Sequence, residues 1–395
     1  RFGAGLLSYK PGSPATNPEG RLVFDYMGTA FGAELDKGYE EVQWNSPIGP
    51  DGKQIKTPLV SHPDNIRNFF KTGITFHNSI SAANNNGISS YRISFSNMKH
   101  TGIIPNSDLV NNTFNLNTSL KISKKFTLST NLDLSRNGAD NRPAGERGTN
   151  PMQWAYEVNP STDIRDLRNY WIAGKEGLQQ RAQDWDRSIH QLNNPYFLAY
   201  EIKNGFSRDR VFGNIRADWK IIPELNLMLR YALDNLAEKR ETQVANSYTT
   251  DPYGGYGLMD LRNFENNVDA LLNYKKSVKD FSFSLSAGAN HRYQNGSNSS
   301  NSSINGLIVA GVYSLNNIAM GNLIANSYKF QKSVQSVYGL LNVGYKNSIF
   351  LDVTGRNDWS STLPDAQGYF YPAASISILA NEFLKLSNKI SLLKL

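Results

Sequence analysis

From Ile74 onward, apolar and polar side chains alternate with a period of two, as in strands that have one apolar and one polar face. In "TFNLNTSLKI", Phe114, Leu116, Thr118, Leu120 and Ile122 share one parity, and Asn115, Asn117, Ser119 and Lys121 the other. The next run, "FTLSTNLDL", repeats the pattern with Phe126, Leu128, Leu132 and Leu134. Only "SKK" lies between them, which predicts a hairpin turn. "VFGNIRADWKI" sets Val211, Ile215, Ala217, Trp219 and Ile221 against Asn214, Arg216, Asp218 and Lys220. A short turn at Pro223 leads into "LNLMLRYAL", with Leu225, Leu227, Leu229, Tyr231 and Leu233 on one parity. "VDALLNY" and "FSFSLSAGA" join through "KKSVKD", and "YGLLNVGY" and "IFLDVTGRNDW" through "KNS". About twelve strands, paired as antiparallel hairpins, are expected.

The other links are long. Polar, irregular stretches over about 138–207, 238–261 and 293–326 alternate with the short turns. A soluble sandwich has no reason to gather its long loops at one end, whereas an outer-membrane barrel does. "NGSNSSNSSING" (Asn295–Gly306) reads as a low-complexity, mobile part of the last long loop. "IAGKEGLQQRAQDW" (Ile172–Trp185) reads as a short helix within the first, and "GPDG" (Gly49–Gly52) as a turn.

The stretch "IFLDVTGRNDWSSTLP" assigns the faces. Ile349, Leu351, Val353 and Trp359 share one parity; Phe350, Asp352, Thr354, Arg356 and Asp358 share the other. On a barrel's lipid face, Arg or Lys costs ~2–4 kcal/mol at mid-depth, and acids less. The charged parity is therefore predicted to face the lumen and the Ile/Leu/Val parity the bilayer. By the same rule Leu227, Leu229, Leu351 and Val353 point outward, and Asn115, Arg216, Asp352 and Arg356 inward. Ile349–Trp359 suffices for one tilted crossing of ~9–11 residues. Trp359 and the returning "YFYP" (Tyr369–Pro372) then fall at the level of an aromatic girdle, with Pro364 in the loop beyond.

Composition narrows the class. With 395 residues, 19% charged and 39% hydrophobic, a soluble reading would give two or three domains. No apolar run reaches the ~18 residues of a membrane helix, which leaves a transmembrane barrel open. Cysteine is absent, so neither a disulfide framework nor a thiolate metal site exists. The net charge of +7 is scattered rather than clustered, and no nucleic-acid partner is expected. None of the histidines (His62, His77, His100, His190, His291) has another within helical metal-ligand spacing. His77 and His291 sit in strand patterns, as lumen or interface residues. No nucleophile elbow or phosphate loop occurs in a supporting context. Neither an enzyme, a cofactor nor a bound metal is expected. The chain opens at Arg1 without a signal-peptide pattern and stops at "KISLLKL" inside a strand-like alternation, so part of the protein is expected to lie outside it.

"GRNDWSSTLP" followed by "GYFYPAASISILANEF" resembles the signature of the SusC/RagA-type TonB-dependent outer-membrane transporters. "SPIGPDGKQIKTPLVSHPDNIRNFFKTG" (Ser46–Gly73) and "SSYRISFSNMKHTGIIPNSDL" (Ser89–Leu109) are similar to the family's early barrel region. "NRPAGERGTNPMQWAYEVNP" (Asn141–Pro160) and "NNPYFLAYE" (Asn193–Glu201) are similar to its first large extracellular loop. The resemblance implies an all-β fold, a share of a transmembrane antiparallel barrel of ~22 strands whose plug domain lies outside this chain. It implies an energised outer-membrane importer of oligosaccharides or oligopeptides. Its partners would be a SusD-like surface lipoprotein and the TonB energising complex, the latter reached through a missing N-terminal region. Residues 1–73 would be the early barrel region with extracellular loops, and 74–395 the strands with their long loops. Three rival readings are a SusC-like barrel serving as a scaffold or export component, a passive porin, and a soluble β-rich carbohydrate-binding protein. One-sided apolar faces and alternating link lengths disfavour the last.

The first long loop carries Trp154, Tyr156, Tyr170, Trp171, Trp185 and Tyr196. Such rings stack on sugars, pack against a peptide, or build the loop's own small core or its lid contact. Trp154, Tyr156, Trp171 and Trp185 are the binding candidates there, with Arg356 and Asp358 in the lumen. The last two are expected to pair with each other or with plug groups, or to touch cargo.

Overall fold

The computed structural model describes residues 32–143, 145, 149–182, 193–364 and 368–379. A two-residue pair comes first, β1 (Glu40–Glu41) against β2 (Thr57–Pro58), followed by the short helix α1 (Asn65–Phe69). Between them, Gly52 closes the "GPDG" turn with φ +77°, a left-handed conformation that glycine adopts freely. Then come β3 (Ile74–Asn85), β4 (Ser89–Thr101), β5 (Asp108–Lys121) and β6 (Phe126–Ala139). The helix α2 (Pro151–Tyr156), a 3-10 turn (Ile164–Arg168) and the helix α3 (Pro195–Glu201) interrupt the strands. The rest is β: β7 (Ile202–Ile222), β8 (Leu225–Val244), β9 (Gly255–Val278), β10 (Phe281–Ser303), β11 (Leu323–Tyr345), β12 (Ile349–Ser360) and β13 (Gly368–Ile378).

β3 to β13 make one antiparallel sheet of 11 strands, each paired with its chain neighbours, against the roughly twelve that alternation predicts. Short turns close one end. Between β11 and β12, Lys346 and Asn347 both have positive φ (50° and 52°), the pattern of a type I′ turn whose twist matches the flanking strands. β9 and β10 consume most of "KKSVKD" and leave only Lys279 and Asp280 to turn.

Directly opposed residues of an antiparallel pair share a face. Ala374, Val353, Leu341, Leu285, Tyr274 and Leu225 form one transverse row across six strands. Asp358, Ser336, Asn290, Asp269, Arg230, Arg216, Ser129, Ser119 and Ser90 form another, on the opposite face, across nine. The parities therefore agree across the sheet. Leu227, Leu229, Leu351 and Val353 lie on the apolar face, and Asn115, Arg216, Asp352 and Arg356 on the polar one. Leu229, Leu351, Val353, Phe76 and Ile376 are all exposed on the apolar face. A contiguous exposed apolar surface of this extent is suited to lipid. No helix of the described residues is long and apolar enough to cross a membrane.

Two expectations from the sequence need correction. Asn295–Ser303 is not loop but the end of β10, in register with β11 through Ser303↔Leu323. β9, β10 and β11 are 24, 23 and 23 residues long, well beyond the ~9–11 of one crossing. Above the bilayer both faces meet water, so alternation disappears while the backbone ladder continues. The long links shrink accordingly to 140–201, 245–254 and 304–322. The second correction concerns 172–182, which forms turns and a Trp171↔Gln180 bridge rather than a helix. Gly174 (φ +78°) and Gly177 (φ +77°) hold left-handed backbone that a right-handed helix cannot contain.

Candidate functional site

The described residues of 140–201 fold into a cap at the long-loop end of the sheet. One buried cluster joins Phe69, Ala155, Val158, Ile164, Leu167 and Tyr196, with the Phe69 and Tyr196 rings edge-to-face at 5.2 Å. A second joins Phe197, Leu198, Ile202, Ala245 and Tyr248, and so ties α3 to the β8–β9 link. Both are small, and buried carboxamides supply the rest of the cohesion. Asn194 accepts from the backbone N–H of Tyr196 (2.8 Å) and Phe197 (3.3 Å), capping α3. Its amide donates to the carbonyls of Leu167 (2.9 Å) and Arg181 (2.7 Å). Fully buried Gln180 donates to the Ser247 carbonyl (2.6 Å) and to Asn193 Oδ1 (2.9 Å), and accepts from the Asn194 N–H (2.8 Å). Asn65 donates to the Thr162 carbonyl (2.7 Å) and accepts from the Ile164 N–H (3.0 Å). Asn141 donates to the carbonyls of Asn106 and Ala199 (3.1 Å each) and accepts from the Asn204 N–H. Each amide bridges segments with no sheet or helix in common, which is how an irregular loop satisfies its buried backbone.

The loop aromatics separate by role. Trp154 and Trp171 pack against the second cluster, Trp171 edge-to-face on Phe197 at 5.3 Å. Tyr156 instead is 61% exposed at the end of α2. Trp185 lies outside the described residues. Tyr170 donates to Glu201 Oε1 (2.9 Å), and burial followed by the Glu201 charge pushes its phenol well above its ordinary range. At the cap's outer side, the hydrogen bond from Arg165 holds the Asp163 carboxyl below the usual range.

The polar face of the sheet is fitted with ion pairs. Arg356 Nε donates to Asp358 (2.7 Å) and its Nη2 to Ser336 (2.9 Å). Arg216 pairs with Asp218 (2.7 Å), Arg230 with Asp269 (2.9 Å), and Arg292 with Glu265 (2.6 Å). Arg210 grips Asp234 through two N–H groups (2.9 and 2.6 Å). Asn290 also donates to Asp269 (2.7 Å), and Asn342 to Asp352 (2.6 Å). These arginines are matched one to one with acids.

The long-loop end is different, and sequence reasoning passed it over. There Glu238, with a side chain 2% exposed, accepts from both Arg208 (2.6 Å) and Arg240. The Phe206 ring lies opposite Arg240 in the register and carries two more guanidinium contacts, Arg142 at 4.2 Å and Arg208 at 5.8 Å. Among the described residues no carboxylate pairs with Arg142. Burial and then the nearby Arg240 depress its pKa. An adjoining cleft of about 810 Å³ has a lining that includes Arg142, Arg240, Thr242 and Ser302 together with the acids Glu241 and Asp251.

No family model matches the chain. TonB-dependent receptor P3 of Formosa agariphila is 25% identical over 338 residues, covering 82% of this chain and 32% of that protein. Among solved structures, the RagAB peptide transporter matches with a TM-score of 0.65 at 16% identity, over 82% of this chain and 36% of that one. The RagAB peptide importer matches with TM-scores of 0.65 in its open-open state and 0.63 in its closed-closed state, at 17% identity and the same coverage. The structural likeness is one of fold. The chain spans about a third of the length of the relatives it matches.

Proposed function

We propose that this chain forms part of the outer-membrane β-barrel wall of a SusC/RagA-type TonB-dependent receptor, an energised importer of oligopeptides or oligosaccharides, a reading supported by its likeness to TonB-dependent receptor P3 and to the RagAB fold. In this reading a SusD-like surface lipoprotein closes over the long-loop end. The observation that carries it is the pairing of a two-faced sheet with a folded cap. The polar face is charge-paired from Arg356–Asp358 to Arg208–Glu238 and suits an aqueous lumen. The cap has its own core and buried amide network, and so presents a fixed surface for a partner. A passive pore has no need of such a cap. Tyr156, exposed on α2, is the ring best placed for partner or cargo contact, whereas Trp154 and Trp171 hold the cap together. The peptide transport described for the RagAB structures favours oligopeptides over glycans.

The test uses the full-length protein in its native membrane. A deletion strain complemented with the gene should regain growth on oligopeptides as sole nitrogen source, lose it again on depletion of TonB, and yield a co-purifying surface lipoprotein. Uptake indifferent to TonB would make the protein a passive pore. Purification without any lipoprotein would remove the lid from the proposal.

A further inference from the structure

Resting on the peptide-importer reading, we propose that Arg142, Arg208 and Arg240, gathered round the single carboxylate of Glu238 at the rim of the lumen, form a subsite for a carboxylate of acidic oligopeptide cargo. Elsewhere on the polar face, Arg210, Arg216, Arg230, Arg292 and Arg356 each pair with one acid. Here Glu238 serves both Arg208 and Arg240, and Arg142, held against the Phe206 ring, pairs with no acid among the described residues. Crowding like charges is unfavourable unless a further anion joins them. Two other acids border the cleft, Glu241 of opposite parity on β8, which accepts from Gln243 (2.8 Å), and Asp251 in the β8–β9 link; neither pairs with Arg142.

Guanidinium forks match a planar carboxylate with two parallel N–H donors. Charge-assisted bonds of this kind are the stronger class, and they gain further where water is excluded. The neighbouring cleft fits the rest of such a ligand. Thr242, Gly257 and Ser302 stand in one transverse row beside the Arg240–Met259–Ser300 row. This floor is poor in side-chain bulk and rich in hydroxyls, and suits a peptide backbone lying across it. A volume of about 810 Å³ is ample for a few residues. The resulting specificity would be for charge rather than sequence, as expected of a transporter that takes many peptides through one entrance.

The experiment uses the intact transporter with its native partner, reconstituted in nanodiscs. Binding is measured for a matched pair of fluorescent hexapeptides, one ending in Glu-Glu with a free carboxylate and one in Gln-Gln amide. The wild type should prefer the acidic peptide by about tenfold or more, a preference that shrinks as salt rises. Arg142→Gln and Arg240→Gln should each erase most of that preference while leaving the neutral peptide's affinity unchanged, and Arg142→Lys should restore part of it. Unchanged neutral binding also shows that the variant is folded. Equal wild-type affinity for the two peptides overturns the subsite and leaves the importer reading standing. So does an equal loss for both peptides in the Arg142→Gln variant. A wild-type protein that binds neither peptide overturns the peptide reading and the subsite together. If a sulfated oligosaccharide is then bound in an Arg142-dependent way, the cluster recognises glycan sulfate instead.

Discussion

Replacing Asn194 by alanine isolates what the buried amides contribute to the cap. Asn194 is 1% exposed and makes four side-chain hydrogen bonds, two as the cap of α3 and two to the carbonyls of Leu167 and Arg181. Loss of the helix cap costs about 1 kcal/mol. Each buried carbonyl left without a partner costs ~1–3 kcal/mol. The total of roughly 3–7 kcal/mol falls on a segment whose hydrophobic clusters are small, while the sheet keeps every ladder bond. Asn194→Ala should therefore open the cap and spare the barrel. Hydrogen exchange of the full-length protein in detergent reads this directly. Amides of 150–171 and 195–201 should lose about two orders of magnitude or more of protection, and those of β8–β10 none. Asn194→Ser, which retains the capping acceptor but not the two donors, should recover about tenfold of the loss. Wild-type protection of the cap in the alanine variant would refute the assignment of its cohesion to the amides. Equal losses in cap and barrel would refute its independence from the sheet.

Cysteines at Leu227, Leu229, Leu351 and Val353 should react with a lipid-soluble maleimide, and those at Asn115, Arg216, Asp352 and Arg356 with an aqueous one; equal aqueous labelling of both sets sinks the membrane orientation. Tyr170 has a raised pKa in the folded cap, so the stability it contributes is complete below the ordinary phenol value of 10.0 and fades as pH climbs through the folded one. Cap protection should accordingly fall at alkaline pH in the wild type, and that pH-dependence should be reduced in Tyr170→Phe; identical alkaline profiles would show that Tyr170 is not responsible. Trp171→Ala should cost the cap ~3–5 kcal/mol by emptying its place against Phe197, whereas Tyr156→Ala should leave protection unchanged and weaken partner or cargo capture. Undiminished capture by Tyr156→Ala removes that ring from the interface.

Sequence was most informative where solvent differs across the sheet. In β12, Leu351 and Val353 against Asp352 and Arg356 state the two faces outright, because lipid tolerates only one of these sets. It misread Asn295–Ser303 as loop, because water on both faces removes the contrast that alternation records. The helix expected within 172–185 is ruled out over 172–182 by the left-handed backbone of Gly174 and Gly177. The amides of Asn65, Asn141, Gln180 and Asn194 look in sequence like ordinary solvated loop residues. Their burial becomes visible only when the segments they bridge are brought together. The same holds for Arg142, for Phe206 and Arg208 on β7 and for Arg240 on β8, brought together by the β7–β8 register and by the bond from the Arg142 N–H to the Asn204 carbonyl.

The tall upper strands bear on the order of assembly. Below, a slip of one residue would put Arg230 and Asp269 into hydrocarbon and is forbidden by its cost. Above, a slip of Asn298 or Ser300 along β11 exchanges one hydroxyl or amide for another and costs almost nothing. Apart from the Phe330 ring lying over Gly296, little local selects the correct pairing there, so most of it is inherited from below. Zippering therefore begins at the tight turns and climbs, with each hairpin's embedded half acting as the template for its rim. The rim arginines, and the cap that leans on them, would be the last parts of the molecule to find their places.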